Sequence, residues 1–508
     1  YEIQVWLEFR RVLFRSYVIR RGSSSFGGST ITQQLVKNLT GDDSNTISRK
    51  VKEWFYACVL DCCFSKDDIL EAYLNIIYTG PNIYGGKEAA LYYFNRDIKD
   101  LSLAECAFLA GINNSPNSYN PFSDTDKSEK ISKRTKTVLS KMKELGYISE
   151  NEYNEAVSQV DNGLKFSKGN LQNNSSLYSY HTDGLINEII SDFSNQKHIS
   201  QDFATNYFYL SGSSIYSTQN SDIQKVVENE CKNKKYVLKS SKNDDYAQAA
   251  VVIMDQSNGY VIACSGGLGE KTKSRGFNRA TQMKRQTGSS MKPVAVLEIG
   301  RAHVWTPVEK KLVTNVTVFA DEPTTFTDYN GEAYSPIDYD NYKGSITLRQ
   351  AVESSQNIPF VKLMEQLTPQ VSIRYLKKMG ITTLNDKDVN LALALGGLDQ
   401  GISPLEFAGA YSSIANDGVY IEPTFYTKID SHSNETILVS KQKKRRVISK
   451  DSAFILKQLL TEPVTGSAGT ATYCSISGMD VAAKTGTTNE NYDRWLCGFT
   501  PYYTAVCW

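Results

Sequence analysis

The chain has 508 residues, 56 Lys+Arg against 55 Asp+Glu, and a formal charge of +1. At roughly 100–200 residues per domain, that length predicts two to four domains, each able to bury a core. Balanced charge gives no whole-chain case for nucleic acid or an anionic membrane surface. His181, His198, His303 and His432 are scattered, no Cys-x-x-Cys pair occurs, and zinc therefore has no support.

Residues 1–16, Tyr1 to Ser16, lack the order of a signal peptide and read as a foreign-looking segment. No run of about 18 apolar residues occurs, so this stretch is not expected to span a membrane. From 17 to 160 the pattern is mainly helical. Apolar residues recur at helical spacing from Arg49 to Tyr78, with Gly80-Pro81 closing the run, and a second helix is predicted over Ser102 to Ile112. Residues 114–121 carry turn chemistry, and 124–160 read as a polar helical connection. The stretch 161–245 begins rich in Asn, Ser, Lys and Gln, a linker or small subdomain. Residues 249–255 and 260–264, joined by Asn258-Gly259, predict a hairpin. It opens a domain over 246–508 in which strands and helices interleave. Trp495 to Trp508 reads as strand without a cap, so the chain is expected to end inside its own sheet, truncated. The nine cysteines cannot all pair and are expected to be, for the most part, buried free thiols.

Ser289-Ser290-Met291-Lys292 has the Ser-x-x-Lys spacing. On a helix, positions i and i+3 share a face, so the Lys292 amine is expected to meet the Ser289 hydroxyl. A neutral lysine there takes the serine proton and makes a nucleophile without histidine. The spacing alone is common: Ser140/Lys143, Ser194/Lys197 and Ser440/Lys443 repeat it and read as solvated pairs. Order distinguishes the first. Ser355-Gln356-Asn357 begins 66 residues after Ser289, and Lys484-Thr485-Gly486 begins 129 residues after Ser355, the motif order of serine acyl-transferases. On a strand, Lys484 and Thr485 offer an ammonium and a hydroxyl to a carboxylate, while Gly486 lets a substrate lie flat. Ser355 offers a proton relay and Asn357 an amide. The N–H groups of Ser289 and Thr487 are candidates for an oxyanion hole, worth about 10²–10³ in rate per donor.

The segments Phe277 to Gln282 and Arg285 to Pro293 resemble the transpeptidase region of class A penicillin-binding proteins. So do Tyr334-Ser335-Pro336, Asn357-Ile358-Pro359, Ala394 to Gly397, Gly401 to Glu406 and Ala483 to Asn489, and the resemblance covers nearly all of 205–508. It implies an α/β penicillin-binding domain with a central antiparallel sheet flanked by helices, and no cofactor. The implied activity is a D-Ala-D-Ala transpeptidase/carboxypeptidase working through an acyl-enzyme on Ser289. Lys292 is then the acylation base, Ser355 the relay, Asn357 the substrate-amide contact, and Lys484, Thr485 and Thr487 the carboxylate site around Gly486. β-Lactams are expected to acylate Ser289.

Class A members also carry a lysozyme-like, mostly α glycosyltransferase domain that polymerises lipid II. Gly27 to Asn38, with Ser29, Thr30, Gln33, Gln34 and Lys37, resembles its second motif. Arg49 to Glu53 and Ser65 to Asn75 resemble the third, and Gly85 to Phe94 and Leu101 to Pro121 the fourth and fifth. Lys37, Arg49, Lys50 and Lys66 suit a pyrophosphate-linked sugar, because guanidinium and ammonium groups pair with phosphate oxygens; the plainer reading makes Arg49, Lys50 and Lys52 one exposed helix face. Glu53 falls on one of the family's two important carboxylates. The other belongs to an upstream Glu-Asp pattern that residues 1–16 lack, and Glu2 and Glu8 do not replace it. The chain as given is therefore expected to be inactive in glycosyl transfer, which needs a base; the resemblance leaves room for a divalent cation there. Residues 297–308 also match poorly, and both blocks read as adaptor-derived sequence that resequencing would test.

The resemblance implies as partners lipid II, nascent glycan strands, stem peptides ending in D-Ala-D-Ala, β-lactams and cell-wall or division proteins, on the outer face of the cytoplasmic membrane, with an N-terminal membrane anchor expected to precede residue 1. Nucleic acid is not expected. Two rivals stand beside this reading. A serine β-lactamase would add a deacylating glutamate, and Glu71-Ala72-Tyr73-Leu74-Asn75 has the pattern but precedes Ser289. A non-catalytic penicillin-binding sensor or scaffold is the other. The basic run Lys441 to Arg446 reads as a solvated loop.

Overall fold

The computed structural model describes residues 29–40, 46–80, 83–123, 125–169, 177–239, 246–297, 313–329, 331–431 and 434–508. The 1–16 block, Gly27, Gly28, His303, His432 and all of the 297–308 block except Leu297 lie outside the described residues. The chain divides into two compact units, one of residues 1–176 with 190–213 and one of 177–189 with 214–508. Among the described residues no helix is long and apolar enough to cross a membrane.

The first unit is helical. Its opening elements are α1 (Ile31–Thr40), α2 (Ile47–Cys63) and α3 (Lys66–Ile76). One helix was expected across Arg49 to Tyr78, but α2 ends at Cys63, with Phe64 extended beyond it. Ser65 and Asp68 form a capping box in which each side chain bonds the other's backbone N–H, an arrangement that starts a new helix whatever the apolar period. Leu35 and Leu39 of α1 close a core with Ile69, Tyr73 and Ile76 of α3.

Further along come α4 (Gly86–Phe94) and α5 (Leu103–Ile112), the latter started by a Ser102/Glu105 capping box. Tyr93, Phe94, Phe108 and Ile112 bury an aromatic cluster between them. The stretch read as a polar connection holds α6 (Ser128–Glu144) and α7 (Glu150–Asp161). These two are part of the core, for Leu139, Ala156 and Val160 pack on Ala104 and Ala107 of α5. The Asn- and Ser-rich stretch after 161 contains α8 (Tyr180–Lys197) and α9 (Gln201–Leu210). The polar composition of the stretch hid both, although Leu185, Ile189, Ile190 and Phe193 of α8 and Phe203, Ala204, Tyr207 and Phe208 of α9 keep helical spacing.

The second unit is built on a five-stranded antiparallel sheet. In chain order the strands are β1 (Val251–Asp255), β2 (Tyr260–Ser265), β3 (Ala482–Thr487), β4 (Arg494–Phe499) and β5 (Tyr503–Cys507). Their spatial order is β3-β4-β5-β1-β2, so the last strand lies inside the sheet and the Lys484 strand forms one edge. The hairpin of β1 and β2 pairs as expected, and beyond β5 Trp508 and Ala250 exchange both backbone bonds at 2.9 Å.

Helices α10 (Ser221–Lys232), α11 (Leu348–Glu353), α12 (Ile358–Leu367) and α13 (Pro404–Ala415) complete the frame used below. α13 is buried nearly all round, and the ring of its Phe407 meets Trp495 of β4 edge to face at 5.6 Å. The basic run is exposed at Lys441, Lys443, Lys444 and Arg446, as a solvated segment should be, but its second half is not loop. Lys444–Arg446 is a strand paired with Val419–Ile421, and Arg445 and Arg446 donate to backbone carbonyls of Lys378 and Asp417. All nine cysteines are free, as expected, yet only Cys231, Cys264 and Cys497 are buried.

Candidate active site

Gly288–Met291 forms a single tight 3₁₀ turn, leading directly into Lys292. Tyr411 of α13 holds it from below, its hydroxyl donating to Ser290 O at 2.6 Å, while Ser290 Oγ donates to Thr287 O at 2.6 Å. The β3 edge presses on the same turn. A methyl group on Gly486 would lie 2.2 Å from Thr287 O, and one on Gly288 would lie 2.4 Å from Thr487 O. Gly486 was read as room for a substrate; its absent side chain makes room for the nucleophile turn. Ser289 is left half-buried beside that edge.

The Lys292 amine does not bond Ser289, as the helical spacing had suggested. It donates to Ser355 O at 2.7 Å, Gln356 O at 2.9 Å, Asn357 Oδ1 at 2.8 Å and Ser355 Oγ at 3.3 Å. The tight turn aims the side chain past the serine, and a buried ammonium seeks carbonyls. The ring of Phe360 on α12 lies 4.9 Å from the same amine. Burial drives Lys292 well below the ordinary lysine range, helped by the charge of Lys484 and opposed by Asp338 and Asp321. Lys484 is equally enclosed. Its amine donates to Ser355 Oγ at 2.7 Å and to Thr485 O at 3.1 Å, and burial lowers its pKa to about 7.

Ser355 therefore receives two amines on one oxygen and keeps its own proton free to donate. It does so at φ +62°, a left-handed conformation that costs a non-glycine residue about 1–3 kcal/mol. The turn is held by its neighbours. Asn357 donates Nδ2 to Ile337 O at 2.6 Å and its backbone N–H to Asp338, while Gln356 donates Nε2 to Asp321 at 2.9 Å.

Along β3, Ala483 spends its N–H on Leu460 O at 2.8 Å, and Thr488 reaches across to Asp493 O at 3.0 Å. Antiparallel ladders alternate, so this parity turns the N–H groups of Thr485 and Thr487 to the open edge. Thr487 is exposed, and the Thr485 hydroxyl bonds Thr470 at 3.0 Å. Thus Ser289, Lys292, Ser355, Asn357, Lys484, Thr485, Gly486 and Thr487 form one site. Asp321, Asp338, Gln356 and Thr470 belong to it too and were missed. Asp338 stands two residues beyond the Tyr334-Ser335-Pro336 segment, the only signal available; Asp321 had none.

In the first unit Glu53 is 4% exposed. Arg49 Nη1 donates to it at 2.9 Å, Lys50 binds its other oxygen, and Lys50 also donates to Ser29 Oγ at 3.0 Å. Lys52 is exposed, which separates it from the other two and removes the single-face reading. Thr30 Oγ1 accepts from the N–H of Gln33, itself buried at the start of α1. Gln34 accepts from the Tyr73 hydroxyl at 2.9 Å, and Asn113 donates to that hydroxyl at 2.8 Å. Lys37 and Lys66 are exposed on α1 and α3. Glu71, the β-lactamase-like glutamate, also lies on α3 in this unit rather than in the unit of Ser289. Both oxygens of Glu53 are taken by cations, and among the described residues no three His, Cys, Asp or Glu side chains converge. Among the described residues, then, nothing beside Glu53 offers a divalent cation a ligand set.

A family model described as "Transglycosylase" matches residues 6–143, and one described as "Penicillin binding protein transpeptidase domain" matches 249–506. Among relatives, penicillin-binding protein 1A of Clostridium botulinum (strain Langeland) is 37% identical over 96% of this chain and 60% of its own length. The 1A protein of Clostridium perfringens (strain 13) is 31% identical over 95% of this chain and 72% of its own. The solved penicillin-binding protein 1A of Haemophilus influenzae shares the fold at 20% identity and TM-score 0.58, over 93% of this chain and 83% of that one. The chain spans about 60% of the length of its Clostridium botulinum relative. With both family domains in this order, the chain belongs to the class A penicillin-binding proteins.

Proposed function

We propose that the protein is a peptidoglycan synthase, with residues 246–508 acting as a D-Ala-D-Ala transpeptidase and 17–160 as part of a lipid II glycosyltransferase. One observation carries the reading. Ser355 Oγ accepts from both Lys292 and Lys484, which joins motifs 63 and 129 residues away into one proton-transfer unit. A lysine that burial holds below its ordinary range is able to act as a base near neutral pH.

In this scheme a stem peptide adds along the open β3 edge as an extra strand, its terminal carboxylate between Lys484, Thr485 and Thr487. Lys292 takes the Ser289 proton as Oγ attacks the penultimate carbonyl. The oxyanion is held by the N–H groups of Ser289 and Thr487. Collapse breaks the peptide bond, and Ser355, backed by both amines, gives its proton to the departing D-Ala nitrogen. An amine of a neighbouring stem then repeats the addition, releasing Ser289 and forming the cross-link. Asn357 holds the substrate amide by its Nδ2. No cofactor enters the scheme. In the first unit, Lys50, Arg49 and Ser29 would face the pyrophosphate, with Lys37, Lys66, Thr30, Gln33 and Gln34 lining the approach and Glu53 positioning the cations. The site works outside the cytoplasmic membrane, among cell-wall and division proteins.

Intact mass after incubation with benzylpenicillin, followed over hours and mapped by digestion, tests this. A long-lived adduct on Ser289 is expected. An adduct gone within seconds while drug is consumed would make the protein a β-lactamase, and no adduct would leave a scaffold.

A further inference from the structure

Two carboxyls behind the Ser355 turn have no part in that scheme. Asp321 is fully buried, and its Oδ2 accepts from Gln356 Nε2 and from the Lys343 N–H, both at 2.9 Å. Asp338 is 9% exposed, and its Oδ1 accepts from the Asn357 N–H. The remaining oxygen of each, Asp321 Oδ1 and Asp338 Oδ2, is buried without a hydrogen-bond partner. The two carboxyls lie within hydrogen-bonding reach of each other. Two acceptors facing one another in a dry site cannot satisfy each other, but a single proton between them satisfies both.

We propose that Asp321 and Asp338 share one proton, and that this pair clamps the turn carrying Ser355 and tunes the proton affinity of Lys292. Its catalytic consequence rests on the transpeptidase reading; the shared proton does not. The pair grips consecutive residues, Gln356 by its side chain and Asn357 by its backbone, next to the strained Ser355. The cation facing both carboxyls is Lys292, with Lys484 behind it on Ser355. On the outer side the Lys362 ammonium bonds Ala320 O, and the side chains of Asp340 and Lys343 are exposed.

Protonated, the pair presents one negative charge to Lys292; once the proton leaves to solvent it presents two. Burial first, then the neighbouring carboxyl, raises Asp338 to about 6. Above that pH the doubled charge favours the ammonium of Lys292 and delays its base form. Asp338→Asn keeps an oxygen for Asn357 and puts an N–H where the shared proton sat, which fixes the single charge. The alkaline-rising limb of β-lactam acylation is then expected to move to lower pH by about half a unit to one unit. Asp338→Ala also removes the acceptor, and its limiting acylation rate is expected at least about tenfold below that of the Asn variant.

The test uses the full chain. The infrared difference spectrum between pH 5 and pH 7.5 should show a buried carboxylic C=O band in the unmodified protein, lost on raising the pH, and missing in both Asp338→Asn and Asp321→Asn. Acylation by benzylpenicillin is then followed against pH by intact mass. A carboxyl with a raised folded pKa stabilises below its unfolded value of 3.8 and loses that as pH rises through about 6. Asp338→Asn should therefore gain Tm relative to the unmodified protein between pH 5 and 7.5. Absence of the band overturns the shared proton. A band with an unmoved acylation limb overturns the tuning of Lys292. An unmodified protein that is never acylated overturns the transpeptidase reading, while the band still decides the pair.

Discussion

Each unit brings two cations together, and the two pairs are treated in opposite ways. Lys292 and Lys484 are fully buried, lean on carbonyls and one hydroxyl, and are pushed down by desolvation. Arg49 and Lys50 are half-buried and grip a carboxylate, Glu53. The difference lies in what a cation is for. A lysine that must give up its charge is enclosed without a salt-bridge partner, whereas a guanidinium cannot be deprotonated in proteins and serves as a fixed charge for anions. On the proposed function, burial against carbonyls suits Lys292 to proton transfer, and partial exposure beside a carboxylate suits Arg49 and Lys50 to charge recognition.

The comparison breaks most decisively at Ser289. Ser289→Ala is expected to abolish the benzylpenicillin adduct altogether, read by intact mass. Lys292→Met should slow acylation by about 10²–10⁴-fold, and Lys292→Arg should not rescue it, because a guanidinium stays charged. Next comes Gly486→Ala. Its methyl group would meet Thr287 O at 2.2 Å, and overpacking of that kind costs about 1–3 kcal/mol, visible as a lowered Tm together with slower acylation.

A pH experiment sharpens the point at Lys484, whose folded pKa of about 7 lies below its ordinary 10.5. Below pH 7 folded and unfolded states both carry the proton, and enclosing the charge costs stability. From pH 7 upward the folded state sheds the proton first, so that cost shrinks as pH rises toward 10.5. Lys484→Met should therefore raise Tm by a few degrees at pH 6 and by less at pH 9, while stem-peptide KM rises at both.

How far these sites could be read before the fold was known follows the same division. Ser289, Lys292, Ser355, Asn357, Lys484 and Thr485 were legible because three short motifs in a fixed order carry their own chemistry. What was not legible is where the Lys292 amine points, since a 3₁₀ turn in place of an α-helix decides it. The Asp321–Asp338 pair was invisible for another reason. Asp338 sits in irregular chain, and Asp321 ends a strand of four residues, Val318–Asp321, too short for its alternation to betray burial of an acid; the contact exists only once Gln356 and Asn357 are placed between them. The break between α2 and α3 was present in the letters, as Ser65 and Asp68 at capping-box spacing, but a long apolar period overshadowed it. The antiparallel sheet was legible in its first hairpin and its last strand, whereas the apolar period of α8 and α9 was overshadowed by the Asn- and Ser-rich composition of the stretch around them.

The smallest expected effect tests the other half of the comparison. Glu53→Gln keeps the shape of the side chain and removes the charge that Arg49 and Lys50 share. Had the carboxylate been enclosed with its partners, leaving two cations unpaired would be severe. Glu53 is buried, but Arg49 is 16% and Lys50 32% exposed, so water takes up much of the loss. The cost should be roughly 1 kcal/mol and should shrink further in high salt. The same variant removes the carboxylate that competes with a phosphate for both cations, so added pyrophosphate should restore more Tm to Glu53→Gln than it adds to the unmodified protein. A variant that loses stability and gains nothing from pyrophosphate would mean that Arg49 and Lys50 serve only to hold α2 together.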